Sequence, residues 1–229
     1  MSDPLNDGED FWIFGYGSLI WKPPPTFARR VPCYIERGYI RRFWQPTSGS
    51  ASCICTNGPF RHRQTNKAFL IPNSEDHRGT PEAPGRVVTL IAHETDEPVW
   101  GAAYLIAPAE VERIKAYLDL REINGYTIHR HPVFHNLPRE ESQGVPNPIP
   151  AIVYIGTPDN PQFVGPPESV HALAQHILNS RGPSGENKEY LYNLYTALEQ
   201  LAPEAHDSHI TELAKTAAEI EGKPLKDPN

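Results

Sequence analysis

The chain has 229 residues and a formal charge of −7, from 21 Lys and Arg against 28 Asp and Glu; that length suits one large domain or two small ones with a real core, and that sign argues against nucleic acid or an anionic membrane as the main partner. A hydrophobic content of 38% and a mean hydropathy of −0.52 read as a soluble globular chain with long polar loops, since no apolar run approaches the roughly 20 residues of a membrane helix. Three cysteines, Cys33, Cys53 and Cys55, make no disulfide framework and point to a reducing compartment, the cytoplasm by default.

The polar, acidic leader MSDPLNDGED carries no secretory or transit pattern, and residues 1–10 are expected to form a short disordered tail. A first strand is expected over Phe11–Tyr16, where aromatic and β-branched residues run into a glycine turn. Val31–Ile35 and Ile40–Trp44 follow as strands around a turn at Gly38. The segment 46–75 has no apolar period, contains Cys53 and Cys55, and is expected to be an atypical loop insertion. Val87–His93 and Val99–Ile106 read as strands. Pro108 then opens a helix in which Val111, Ile114 and Leu118 recur at helical spacing to about Arg121, with Gly125 just beyond its end.

Extended segments are expected at Tyr126–His135 and Ala151–Ile155, then helices at Ser169–Ser180, Lys188–Leu201 and His209–Glu221, the last the weakest. Strands, one helix, strands and then helices do not alternate as βαβ units, so the expected class is α+β with a mixed or barrel-like sheet and packed helices. A single domain over residues 11–205 is expected, with a C-terminal helix and tail at 206–229. No internal repeat is visible.

Three places carry chemistry. In FGYGSLIW, Gly15 and Gly17 free the backbone for close approach to a ligand, and successive N–H groups in such a turn can face an anionic oxygen. The dinucleotide fingerprint fails because Ile20 stands where its third glycine belongs. A glycine pair after a strand is by itself an ordinary tight turn. Glu122 ends the first helix beside Asp119 and Arg121, where a glutamate is by itself a solvated helix-end residue. His129-x-His131 places two imidazoles on one strand face with His135 four residues on, a pattern open to zinc and metal-dependent hydrolysis, although no carboxylate completes it nearby. Cys53-x-Cys55 is too sparse for a metal site.

FGYGSLIW resembles the N-terminal motif of the ChaC branch of γ-glutamylcyclotransferases, and further blocks match in order. They are Arg41–Gln45, Asp76–Gly79, Pro84–Leu90, Val99–Gly101, Ala116–Glu122, Gly125–Tyr126, Tyr154–Thr157 with Asp159–Pro161, and Gly182–Gly185 with Glu189–Leu191. Together they span about Phe11 to Leu201 without the inserted stretch, which the family lacks. The resemblance implies a small closed mixed sheet with flanking helices, no cofactor and no metal. It also implies a reaction that closes the γ-glutamyl group of glutathione into 5-oxoproline and releases Cys-Gly. By the same resemblance, Phe14, Gly15, Tyr16, Gly17, Ser18 and Leu19 line the pocket for the γ-glutamyl group, and Glu122, in Leu-Asp-x-x-Glu, is the catalytic carboxylate.

A substrate carboxylate wants a guanidinium partner; Arg86 is the first choice and Arg42 the second, with a structural ion pair as the competing role of each. Tyr190 is a candidate hydroxyl donor to the substrate, or a core aromatic. Trp44 and Trp100 read as core or pocket wall. Two rivals to glutathione cleavage stay open beside the metal-dependent one. The chain can be a cyclotransferase of other γ-glutamyl amines or dipeptides, or a binding protein that retains the fold alone.

Overall fold

The computed structural model describes residues 10–47, 77–115, 126–156, 163–202 and 204–225. Glu122, most of the inserted stretch, the end of the first helix, Gly125, Thr157 and Asp159–Pro161 lie outside the described residues.

Strand β1, Phe11–Gly15, is buried along its whole length, as a continuous apolar run covered on both faces must be. It sits in the middle of a five-stranded sheet. β1 pairs antiparallel with β5, Val99–Ile106, and parallel with β7, Ile149–Gly156. β5 also pairs antiparallel with β2, Arg29–Ile35, and β7 with β6, Tyr126–Val133, which gives the order β2-β5-β1-β7-β6. The two outer strands approach each other at a single antiparallel bridge, Tyr34 to Phe134, with both N–H···O bonds at 2.8 Å.

β3, Tyr39–Thr47, and β4, Gly85–Ala92, form a separate antiparallel ribbon. The register shifts between Arg42 and Gln45, and a bulge of this kind increases local twist. Arg41, Phe43 and Gln45 are buried on one face of β3 while their neighbours are only half covered. The expected strand was shorter, Ile40–Trp44; the ribbon continues through Thr47 because Gln45, Pro46 and Thr47 still find partners on β4.

After β5, a 3-10 turn at Pro108–Glu110 leads into helix α1, described over 111–115. Helix α2, Val170–Asn179, starts where the Ser169 hydroxyl accepts the Ala172 N–H at 3.0 Å, an N-cap that satisfies one of the open donors. A short ribbon of β8, Arg181–Gly182, and β9, Gly185–Glu186, leads into α3, Asn187–Glu199. Helix α4, Ser208–Glu221, is capped by Asp207 and ends at Gly222, whose φ of 65° suits a residue without Cβ.

The sequence pattern of α4 was the weakest of the three, yet it buries Ile210, Leu213, Ala214 and Ala217 in the same core as the sheet and packs on α2 and α3. Its alanines blunt the apolar signal but allow close packing. The architecture is a mixed α+β fold. Among the described residues no helix is long and apolar enough to cross a membrane.

Candidate active site

The glycine turn leaves β1 and closes as a 3-10 turn at Ser18–Ile20. Its internal bonds run from the Ile20 N–H to the Gly17 carbonyl at 2.9 Å and from the Trp21 and Lys22 N–H groups to Ser18. A helical turn does not consume the N–H groups that open it, so those of the Gly17–Leu19 stretch are not used by the turn itself. The turn is fixed from outside by two tyrosines. Tyr104 Oη donates to the Leu19 carbonyl at 2.6 Å, and Tyr16 Oη donates to the Tyr154 carbonyl at 2.7 Å. Phe14 and Ser18 are buried beside them.

Close approach explains both glycines. A Cβ on Gly15 would sit 2.4 Å from the Leu19 Cβ, and one on Gly17 would sit 2.9 Å from Tyr190 Oη and 3.0 Å from Val88 Cγ2. Tyr190, on α3, is therefore in contact with the glycine turn, where its ring also meets Trp21 at 5.1 Å and Phe43 at 5.8 Å between centroids. The sequence left Tyr190 between substrate donor and core aromatic. It is buried, and its hydroxyl end reaches Gly17.

Arg86 arrives from β4. By strand alternation it shares a face with Val88, the residue against Gly17. Its backbone is clamped by the side-chain amide of Asn187, which accepts the Arg86 N–H at 2.7 Å and donates to the Arg86 carbonyl at 2.7 Å. Asn187 thus supplies the hydrogen bonds of a missing strand at the start of α3. The guanidinium of Arg86 makes no ion pair among the described residues, and its Nε and Nη1 are buried without acceptors. Burial pushes its pKa down from the ordinary arginine value. A partly desolvated guanidinium with open donors favours an anionic acceptor.

Arg42 behaves differently. Its Nη1 donates to the Arg41 carbonyl at 2.6 Å, and it lines a small crevice with Tyr39, Glu97 and Asp207. Trp44 is half-buried beside Phe163, and Trp100 is buried in the core.

Blocks distant in sequence meet behind Arg86. His77 N–H donates to Ser184 Oγ at 3.0 Å and Ser184 N–H donates to the His77 carbonyl at 3.1 Å. Arg78 pairs with Glu189 at 2.8 Å and donates to the Glu186 carbonyl at 3.0 Å. Residues 77–79 of the Asp76–Gly79 block, and the Pro84–Leu90, Gly182–Gly185 and Glu189–Leu191 blocks, are thus one packed unit at the base of α3, while Asp76 lies outside the described residues.

The three histidines do not converge. His129 Nε2 lies 2.6 Å from Thr127 Oγ1. His131 sets its ring against Tyr39 and Nδ1 against the Pro132 carbonyl, and buried His135 accepts the Leu137 N–H through Nδ1. Among the described residues no group of three His, Cys, Asp or Glu side chains is arranged to hold a metal ion.

Two contributors escaped the sequence reading. Asn187 precedes the expected helix Lys188–Leu201 by one residue and drew no reading of its own. Arg41 was named only within the Arg41–Gln45 block; the structure places it on the inward face of β3 with Phe43 and Gln45.

Comparison with known proteins adds to this geometry. A family model described as "ChaC-like protein" matches residues 11–52 and 62–220, and its break at 53–61 falls inside the expected insertion. The chain is 38% identical to the glutathione-specific gamma-glutamylcyclotransferase of Schizosaccharomyces pombe, over 91% of this chain and 93% of that one. It is 35% identical to the protein of the same name from Saccharomyces cerevisiae, over 93% and 95% of the two chains. A crystal structure of a gamma-glutamyl cyclotransferase specific to glutathione from yeast superposes with a TM-score of 0.73 at 32% identity, covering 93% of this chain and 97% of the other.

Proposed function

Because the chain belongs to the ChaC-like family, we propose that it is a glutathione-specific γ-glutamylcyclotransferase, a lyase-type enzyme that degrades glutathione to 5-oxoproline and Cys-Gly. The observation that carries the site is the meeting of the glycine turn with Tyr190 and with the β4 face that bears Arg86.

In glutathione the attacking amine and the γ-carbonyl lie on one molecule. Folding the substrate therefore removes much of the entropic barrier, and well-oriented closures of this type reach effective molarities of about 10⁵–10⁸ M. The remaining task is proton and charge handling. The α-amine has a pKa near 8 and is an ammonium at neutral pH. In our reading Glu122 takes its proton, and the freed nitrogen attacks the γ-carbonyl carbon to close the five-membered ring. The carbon–nitrogen bond to cysteine then breaks as Glu122 returns a proton to the departing amine of Cys-Gly, and the ring nitrogen sheds its second proton to solvent to leave the lactam N–H. General acid–base help of this kind contributes about 10²–10⁴-fold.

The γ-glutamyl group rests against Phe14, Gly15, Tyr16, Gly17, Ser18 and Leu19, with backbone N–H groups of the turn facing the oxygen that becomes negative. Arg86 takes a substrate carboxylate through Nε and Nη1, and Tyr190 donates its hydroxyl to the substrate. These roles are supported by the close contact at Gly17 and the open donors of Arg86. The reaction balances without a cofactor. A barrel-like closure of the sheet belongs to the same reading and is supported by the Tyr34–Phe134 bridge. So does a cytoplasmic location, where glutathione is abundant and thiols stay reduced.

The test is a comparison of substrates. Purified protein is incubated with glutathione and with γ-glutamyl-alanine, and 5-oxoproline is assayed. Glutathione should be turned over with the larger kcat/KM; a preference for the dipeptide assigns the chain to other γ-glutamyl compounds.

A further inference from the structure

Arg41 is shielded from water along its whole side chain. Taking a guanidinium out of water costs several kcal/mol unless its donors and charge are met. They are met only in part. Nη1 donates to Asp207 Oδ2 at 3.0 Å and Nη2 donates to the Trp100 carbonyl, while Nε has no acceptor among the described residues. Asp207 is itself divided, because its Oδ1 accepts the Ile210 N–H at 3.0 Å to cap α4. A buried pair of this kind is a poor stabiliser, since an apolar replacement is often neutral or better. Packing alone gives little reason for a cation here.

On the other side of Arg41 lies the proposed site. Phe43, the next inward residue of β3, sets its ring against Tyr190 at 5.8 Å and 84°, and Tyr190 reaches Gly17. Arg41 thus shares the inward face of β3 with the ring that packs on Tyr190, and Tyr190 and Tyr16 both lie within its electrostatic reach. We propose that Arg41 is a positioning residue: a buried, under-neutralised cation, held by Asp207 and the Trp100 carbonyl, whose field makes Tyr190 a stronger hydrogen-bond donor to an anionic oxygen at the glycine turn and tightens the bond by which Tyr16 fixes that turn to the Tyr154 carbonyl. The proposal rests on the reading of that site given above.

Among the described residues, the groups that face Arg41 and can alter this field are few. Asp207 and His209 come from the start of α4, Glu97 from the turn before β5, and Arg42 is the neighbour on β3. Burial, with help from Arg42 and Arg41, holds the His209 pKa at about 4, so His209 is neutral at physiological pH and adds no charge. Burial lowers the pKa of Arg41 as well, against the opposing pull of Asp207. Asp207 and Glu97 are then the carboxylates that offset it.

The experiment uses the full chain labelled with ¹³Cζ-tyrosine. The Tyr16 and Tyr190 resonances are assigned with Tyr→Phe variants and titrated toward pH 11, alongside kcat and KM for glutathione. Arg41→Met should raise both tyrosine midpoints and lower kcat about tenfold, less than the 10²–10³-fold lost with a donor that touches the oxyanion. Arg41→Lys, which keeps the charge, should recover most of the loss. Should Arg41→Met fail to fold, Asp207→Asn keeps the cap of α4 and removes the counter-charge, and should lower both midpoints. Midpoints that stay unmoved in these variants overturn the proposal. So does an equal loss of activity in Arg41→Lys and Arg41→Met. Midpoints that move in a protein forming no 5-oxoproline uphold the field of Arg41 and remove the cyclotransferase reading instead.

Discussion

Arg86 concentrates the residue-scale logic of the site. Its backbone is locked by Asn187 while its Nε and Nη1 are buried without acceptors among the described residues, so the strand holds a cation whose demand a ligand can meet. Arg86→Met should raise KM for glutathione by roughly tenfold or more, as loss of a charge-assisted pair implies, and should leave unfolding little changed; an unaltered KM removes Arg86 from the substrate. His209 sets a second residue-scale expectation. Its Nε2 has no hydrogen-bond partner among the described residues, and burial, then Arg42, depresses its pKa from 6.5 to about 4. Between those values the unfolded chain binds more protons than the folded one, so stability falls as pH drops from 6.5 toward 4, by up to about 1.4 kcal/mol per pH unit. Chemical denaturation of His209→Gln should show a flatter pH dependence over that window, and an unchanged slope contradicts the assignment.

Helix α4 is the element whose role the sequence understated. Its N-cap is also the partner of a buried arginine on β3, which ties the end of the chain to the ribbon that packs on Tyr190. Asp207→Ala should therefore cost more than a lost cap. Breaking a buried pair costs about 3–5 kcal/mol and a cap about 1 kcal/mol, so urea unfolding should show a loss of about 4–6 kcal/mol. A loss below about 1 kcal/mol means that α4 is only loosely attached. Elements with continuous apolar runs were legible at once: Val99–Ile106 was read with the bounds that β5 has. Others moved for identifiable reasons. The extension of β3 to Thr47 depends on a bulge, and bulges leave no period in the sequence. The starts of α2 and α4 follow from Ser169 and Asp207, whose capping bonds shift the bounds by a residue.

At the scale of the whole molecule, composition and element order indicated α+β, but not that β5 would sit between β1 and β2, nor that β1 would run parallel to β7. Those pairings are long-range, and no local pattern encodes them. The site divides the same way. The glycine turn could be read directly as a turn, but its place in the site came from the resemblance, because a glycine pair after a strand is by itself an ordinary tight turn. Arg86 and Tyr190 were visible only through their resemblance to family blocks, and the packing of His77, Arg78 and Ser184 against α3 explains why blocks about a hundred residues apart occur together. Arg41 was hidden because a charge on an inward position contradicts the usual sorting of residues by burial. The central claim is that Glu122 moves the proton in a self-cyclising cleavage. It is tested most directly by quantifying 5-oxoproline released from glutathione by the wild-type chain and by Glu122→Gln at matched folded concentration. The account predicts release by the wild type and a loss of at least about 10²-fold in the variant; release by both at similar rates, or by neither, contradicts it.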